Sequence, residues 1–337
     1  MKAGLIGWPG SGRETIFSAL TGLPRPSAGS FEPRQGEALV PDGRLDFLSA
    51  LYRPRKHIPA RVEFFLPRPP GSDREVVQAS LEKMREAEVI LAVLRNFPGA
   101  VPPDPAREAA GLETELILSD YLVVQKRLER LDEERKRGKK SDPEEVELLT
   151  RGLTELEAGR PLRPDHVFTR HPKLRGFAFL SAKPLLAVLN NADDNGREAD
   201  LGGPWPRLVV RGRLEGDLAA LPAGEAAEFL AGYGLAEPAS SRVIREVYGL
   251  MGLLSFFTVG EDECRAWTIT AGETALDAAG AIHSDIQKGF IRAEVVAVED
   301  FRAAGNMSEA KKKGHFRLEG KTYVVADGDI VHFRFNV

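Results

Sequence analysis

The sequence predicts an α/β fold: a doubly wound domain with an inserted helical arm, followed by a small β-grasp domain. Three patterns carry that prediction. Residues 1–20 run from an apolar stretch through a Gly-rich turn into the helical spacing of Ile16, Phe17 and Leu20. Two continuous apolar runs, VILAVL at 89–94 and PLLAVL at 184–189, have the composition of strands buried on both faces of a parallel sheet. From about Leu253 the chain reads ββαβ followed by further strands. The boundaries fall where the pattern changes: 1–111 and 161–250 for the α/β domain, 112–160 for the arm, and 253–337 for the β-grasp domain.

Composition narrows the class further. With 337 residues and 42% hydrophobic content the chain can build two or three cores. A net charge of -4 and a pI near 6.0 exclude a generally basic nucleic-acid coat and leave room for local basic patches. The single Cys264 excludes an internal disulfide framework and fits a reducing cytosol. No apolar stretch approaches the ~20 residues that span a bilayer, and the first residues enter a strand without a signal-peptide pattern. The expectation is a cytoplasmic protein with no membrane partner.

Within 1–20, Gly7 and Gly12 keep the spacing of the phosphate-binding consensus, Gly, four residues, Gly, Lys, then Ser or Thr. Arg13 stands at the Lys position and Glu14 at the position of the Mg²⁺-binding hydroxyl. The Pro-, Gly- and Ser-rich 21–36 reads as surface loop, with Ser30 as the candidate to reach a metal. A turn at 41–44 leads to a short helix, 45–52, and a strand, 61–66. In a P-loop NTPase that strand runs into Asp-x-x-Gly, whose Asp holds Mg²⁺ through water; here the four positions are Leu66, Pro67, Arg68 and Pro69. Ser72 with Glu75 forms a capping box for a helix reaching about Glu86, with Val76, Leu81 and Met84 on its inner face.

The arm is predicted by Leu116, Leu122, Val123, Leu128 and Leu131, a basic run at 135–140, and a new helix start at Ser141-Asp142-Pro143-Glu144. Val146, Leu149, Leu153 and Leu156 mark the returning helix. Its Lys- and Arg-rich tip either meets RNA phosphates or is a solvated turn. Further strands are expected at 177–180, 184–189 and 207–210. Asn190, Asn191 and Asp193 end the second of these and Gly212 follows the third, where such folds grip a base. Asp193 suits a base edge and Asn190 a brace between loops; a plain turn uses the same residue types. A helical stretch at 222–245 leads to strands at 256–259 and 266–270, a helix from Thr274 with Asp277 as its cap partner, and strands at 292–298, 323–326 and 330–337. His283 and Asp285 have no nucleophile nearby, and the three lysines at 311–313 read as a solvated loop or a nucleic-acid contact.

With these residues in view, the chain resembles the YchF/Obg-like ATPase family of P-loop proteins. FFTVGEDECRAWTITAGETALDAAGAIHSDIQKGFIRAEVVAVEDF, with RLEGKTYVVADGDIVHFRFNV, is similar nearly throughout to the family's terminal TGS domain, a ubiquitin-like β-grasp. VPDGRLDFLSAL, RVEFF, QKRLERLDEERKRGKK and SAKPLLAVLNNADDNG extend the likeness over essentially the whole chain. The resemblance implies a P-loop NTPase domain with a coiled-coil arm inserted in it and a TGS domain. It also implies ATP, often in preference to GTP, with Mg²⁺, and a cytoplasmic, ribosome-associated role in which the arm tip and the TGS domain meet ribosome or RNA. Carried over by position, Gly7, Pro9, Gly10, Ser11, Gly12, Arg13, Glu14 and Thr15 would cradle the phosphates. Asn190, Asn191, Asp193 and Gly212 would surround the base, with Asn191 facing the adenine. Glu14 and Ser30 would take the two metal-ligand positions. No residue is assigned as catalytic.

The departures from the family pattern gather in one place: Gly12-Arg13-Glu14-Thr15, the lost Asp-x-x-Gly, and a short second switch region before Ser72. A planar guanidinium is not a compact ammonium inside a tight loop. A carboxylate about 4 Å from a phosphate charge costs on the order of 4 kcal/mol per charge pair at an effective dielectric near 20. Glu14 either coordinates Mg²⁺ itself or pairs with Arg13 and closes the loop. Weak or absent hydrolysis is expected, since phosphoryl transfer depends on a placed metal and cation. Two function classes follow: a nucleotide-binding protein linked to translation, or a scaffold that binds protein or ribosome without nucleotide.

Overall fold

The structure, a computed structural model, describes residues 1–25, 33–67 and 74–336, with side chains for all of these except 74–78 and 223. Ser30, Arg68, Pro69 and Ser72 lie outside the described residues. The chain divides into two compact units, Met1–Ala38 with Glu63–Val243, and Leu39–Val62 with Ile244–Val337.

The first unit begins with β1 (Lys2–Ile6), α1 (Arg13–Thr21) and β2 (Arg34–Leu39). The chain then contributes α2 (Gly43–Tyr52) and β3 (Lys56–Ile58) to the second unit and returns with β4 (Arg61–Leu66), α3 (Arg74–Met84), β5 (Val89–Asn96) and α4 (Pro105–Lys136). It continues through α5 (Pro143–Glu157), α6 (His166–Arg170), β6 (Leu185–Asn191), β7 (Arg207–Val210), α7 (Gly212–Leu218) and α8 (Ala223–Gly232). The sheet order is β2-β4-β1-β5-β6-β7, with β4, β1, β5, β6 and β7 parallel. The two apolar runs are β5 and β6, buried from 89 to 94 and from 185 to 191, as a sheet covered on both faces requires. Strand order departs in opposite directions from β1, so the loop after β1 opens at the switch point where doubly wound sheets bind ligands.

α4 is one uninterrupted helix of 32 residues. Asp104 caps it by accepting from Arg107 N, and Pro105 occupies its first turn. Asp142 caps α5 in the same manner, with Pro143 behind it. Ile117, Val124 and Leu131 of α4 meet Leu149 and Leu156 of α5, and Arg127 donates two hydrogen bonds to Glu145 at 2.7 and 2.9 Å. Nearer the root, the fully buried Asp120 accepts from Arg85 Nη1 (2.9 Å), Leu180 N (2.9 Å), Ser181 N (2.7 Å) and Ser181 Oγ (2.7 Å). That carboxylate accounts for a correction. The strand expected at 177–180 is absent, because the N–H groups of Leu180 and Ser181 go to Asp120 and the segment forms 3-10 turns at Pro172–Phe177 and Leu180–Ala182. Between them Ala178 is held at φ 47°.

The second unit resumes at Ile244 within α9 (Ala239–Met251) and continues through β8 (Leu253–Val259), β9 (Glu263–Thr270), α10 (Ala275–Ile282), α11 (Ser284–Lys288) and β10 (Phe290–Ala297). It closes with α12 (Val298–Ala304), α13 (Met307–Lys312), β11 (Arg317–Glu319) and β12 (Asp329–Phe335). The expected 222–245 helix is thus two helices, α8 and α9. The sheet order is β11-β10-β12-β8-β9-β3, with the β8–β9 hairpin antiparallel and β12 parallel to β8, a β-grasp arrangement. α10 starts on the predicted Thr274–Asp277 capping box and packs Ala275, Ala278 and Ala279 against Phe256, Val295 and Phe333. Residues 39–62, placed by the sequence in the α/β domain, belong here. Arg44 lies over the Phe257 ring, Phe47 and Tyr52 pack on Phe301, and β3 pairs parallel with β9. The strand expected at 323–326 is reduced to one bridge, Thr274 to Val324, since Tyr323 N turns back to Gly320 O and Ala326 N goes to Asp329.

Candidate functional site

The loop at 7–12 turns tightly between β1 and α1. Ser11 N–H donates to Trp8 O at 3.0 Å, and Gly10 and Gly12 take φ 83° and 82°, where a Cβ is strained. A Cβ on Gly7 would lie 2.5 Å from Ser11 Oγ and 2.6 Å from Val93 O; one on Gly12 would lie 2.2 Å from Asn190 Nδ2. Pro9 and Gly10 are exposed at the rim. The first N–H groups of α1, from Arg13 to Thr15, are those a helix leaves without an internal acceptor, and with the dipole they make an anion site.

The first two side chains of α1 pair with each other beside that site. Arg13 is only 2% exposed and lines a cavity of about 30 Å³ together with Ile6, Trp8, Pro67, Leu81 and Glu115. Its Nε donates to Glu14 Oε1 at 3.2 Å. Burial holds the Arg13 guanidinium below its ordinary pKa, with the Glu14 carboxylate only partly opposing it. Glu14 remains 37% exposed in the first turn of α1, where the macrodipole favours a negative charge. Of the two sequence readings of Glu14, the pair with Arg13 is the one the structure contains.

On the far side of the loop Asn190, buried at the end of β6, joins two segments. Its Nδ2 donates to Ser11 O (2.9 Å) and its Oδ1 accepts from Gly212 N (3.1 Å) at the start of α7. Gly212 has no room for a side chain, with a Cβ 2.6 Å from Asn190 Oδ1 and 2.8 Å from Ile16 Cδ1. Asp193 Oδ1 accepts from Leu214 N at 3.2 Å. Asn191, expected to face an adenine, is hydrogen-bonded on both ends of its amide. Both of its amide hydrogens are donated, to Asn195 O (2.9 Å) and Arg197 O (2.7 Å), and its oxygen accepts from Asn96 Nδ2 (2.8 Å). It ties down its own loop, and its oxygen, with one of two lone pairs used, can still accept a hydrogen bond.

The sequence reading missed Trp8, whose Nε1–H donates to Glu108 O at 3.0 Å and whose ring packs beside Gly111 on α4. A tryptophan among Gly, Pro and Ser was the available signal. Glu108 also accepts from Arg95 N at 2.9 Å, and burial raises its pKa. Among the described residues no group of three or more His, Cys, Asp or Glu side chains converges to hold a metal. At the arm tip Arg135 and Lys136 pair with Asp132 and Arg137 with Glu133, while Lys139 and Lys140 are exposed and form no ion pair among the described residues. His283 accepts from Asp285 N and so caps α11. Lys311 lies over Phe316 and Lys312 pairs with Glu309. Among the described residues no helix is long and apolar enough to cross a membrane.

Comparison with known proteins gives a consistent result. Residues 253–336 match the family model YchF-GTPase_C. The chain is 35% identical to the ribosome-binding ATPase YchF of Bacillus subtilis, with each chain covered in full, and 35% identical to that of Escherichia coli O157:H7, covering 100% and 99% of the two chains. It is 32% identical to Obg-like ATPase 1 of Oryza sativa subsp. japonica, over 100% and 92%. The solved structure of the Schizosaccharomyces pombe YchF GTPase superposes with a TM-score of 0.80 at 25% identity, covering 99% and 97%.

Proposed function

This chain belongs to the YchF/Obg-like ATPase family, and on that premise we propose that it is a cytoplasmic, ribosome-associated nucleotide-binding protein with weak or absent hydrolysis. The observation that carries the reading is the Arg13–Glu14 pair inside an otherwise intact glycine cradle. Gly7, Gly12 and Gly212 hold the backbone close, Asn190 fixes its edge, and the α1 N–H groups remain available for the phosphates of ATP or GTP. Arg13 would meet a phosphate only after leaving its cavity and exchanging Glu14 for the ligand. A Mg²⁺ ion bound with nucleotide would supply charge neutralisation, and Glu14, once released from Arg13, would be the carboxylate to hold it, since Mg²⁺ is commonly bound by one or two carboxylates plus substrate phosphates. With Leu66 and Pro67 where the family pattern begins Asp-x-x-Gly, the attacking water has little to organise it.

The same pair favours a second reading, a scaffold that binds ribosome or protein without nucleotide, because Glu14 already satisfies the cation and the helix end. Calorimetric titration with ATP, GTP and ADP, with and without Mg²⁺, separates the two. Saturable binding supports the first reading, and no heat up to millimolar ligand leaves the scaffold. Ribosome co-sedimentation tests the partner, for which the arm tip and the TGS domain are the proposed contacts; protein that stays wholly in the supernatant would remove it.

A further inference from the structure

We propose that β11 is an interaction edge at which two copies of this chain pair, strand against strand, about a two-fold axis through Leu318. β11 (Arg317–Glu319) ends its sheet, with β10 on one side and no strand on the other among the described residues. Antiparallel neighbours alternate between pairs that exchange backbone hydrogen bonds and pairs that do not. Val298 N, directly after β10, donates to Gly328 O at 2.9 Å, directly before β12. The one register shift between β10 and β12 lies before Arg292, so from there the even-numbered residues of β10 face β12 and the odd-numbered ones face β11. Ala293 and Val295 therefore hold Glu319 and Arg317, and Leu318 between them turns its N–H and C=O away from the sheet. Its side chain is 54% exposed.

Short, charged edges repel most strands. Here the charges select one partner. In an antiparallel pair centred on Leu318, Arg317 stands opposite Glu319 of the second copy and Glu319 opposite its Arg317, both pairs on one face of the joined sheets. The two Leu318 side chains meet on the other face, where Phe316 falls opposite Gly320, a bare backbone that an aromatic ring covers. A slip of two residues sets Arg317 against Arg317 or Glu319 against Glu319, which is repulsive. Arg317 is already fixed at the edge, donating to Tyr323 Oη at 3.0 Å and pairing with Asp329. Glu319 forms no ion pair among the described residues, so its charge is left for a second copy.

The test is sedimentation velocity on the full chain. The mean mass of the wild type should rise from 36.9 kDa toward twice that value between about 5 and about 500 µM, as a small, reversible contact requires. Leu318→Lys, which sets like charges on the axis, should raise the dissociation constant at least about tenfold and leave the urea midpoint unchanged; Glu319→Lys should do the same. Oxidised Leu318→Cys should become a covalent dimer, because opposite residues of a hydrogen-bonded pair lie about 5.5 Å apart between Cα atoms, within disulfide range. The native Cys264 is buried, and Val324→Cys, at a position exposed to the same degree in the same unit, should stay single. A wild type that remains at 36.9 kDa up to about 500 µM overturns the proposal. So does a dimer indifferent to either lysine, or cross-linking as fast at 324 as at 318.

Discussion

Replacing Asn190 by Ala removes the one side chain that joins the phosphate loop to the start of α7. Ser11 O and Gly212 N, both on buried residues, lose their partners at 2.9 and 3.1 Å. A buried backbone group without a partner costs about 1–3 kcal/mol, so the pair costs about 2–6 kcal/mol. A water entering the vacated carboxamide volume recovers part of this, which sets the expectation at about 2–4 kcal/mol. For a unit of roughly 200 residues that is a fall in Tm of about 5–15 °C. The assay is urea unfolding followed by tryptophan fluorescence in a Trp267→Phe background, which leaves Trp8 and Trp205 to report the first unit. Asn190→Asp keeps the acceptor for Gly212 N–H but sets a carboxylate against Ser11 O, so at pH 7 it should be at least as damaging. A loss below about 0.5 kcal/mol for Asn190→Ala would refute the brace, since that is the scatter expected of a residue with no special role.

Four further outcomes follow from the geometry. Arg13→Lys with Glu14→Ser, which dissolves the internal pair, should raise Mg²⁺-dependent ATP affinity by at least about tenfold in calorimetry; an unchanged Kd would show that the pair is not what closes the loop. Asp120→Ala should cost about 3–5 kcal/mol, because it takes the buried carboxylate from Arg85 and leaves Leu180 N, Ser181 N and Ser181 Oγ without their acceptor, and a loss under about 1 kcal/mol would argue against it. Ala178→Gly should stabilise by about 0.5–1 kcal/mol, as only glycine accepts φ 47° without cost. Tyr323, desolvated and hydrogen-bonded to Asp329 at 2.7 Å, has its pKa pushed up from 10.0 to about 12. The neutral phenol is the form the fold prefers, so its contribution is complete below pH 10 and is lost as pH rises toward 12. Tyr323→Phe should flatten the alkaline arm of the second unit's stability profile; an unchanged profile would count against this.

Much of the fold was legible because it is written in local rules. The runs at 89–94 and 184–189 became β5 and β6 since nothing else buries six apolar residues in a row on both faces. Asp142 and Thr274 cap their helices where short-range spacing puts them. What escaped depends on partners distant in sequence. Residues 177–180 look like a strand until the carboxylate of Asp120, sixty positions before Leu180, takes the N–H groups of Leu180 and Ser181. Residues 39–62 carry no sign of the unit they join, because β3 is three residues long and its identity comes from β9. At the site, the glycine frame and the Arg13–Glu14 replacement were readable by spacing. The partners of the two neighbouring amides were not, since Asn190 is held by Ser11 and Gly212 and Asn191 by Asn195 and Arg197, contacts that only the folded loops bring about.

The excursion through α2 and β3 also sets a timetable for synthesis. These residues emerge from the ribosome roughly 200 positions before β9, a wait of about 10–40 s at 5–20 residues per second. Throughout it the apolar side chains of Leu45 and Leu48, buried in the finished protein, have no native surface to cover. A fragment beginning at Leu253 would carry the converse defect, with Phe257 and Phe301 stripped of Arg44, Phe47 and Tyr52. The early segment therefore stays uncovered until β9 has been made, and the C-terminal segment expressed alone should be prone to aggregate despite containing five of the six strands of its sheet.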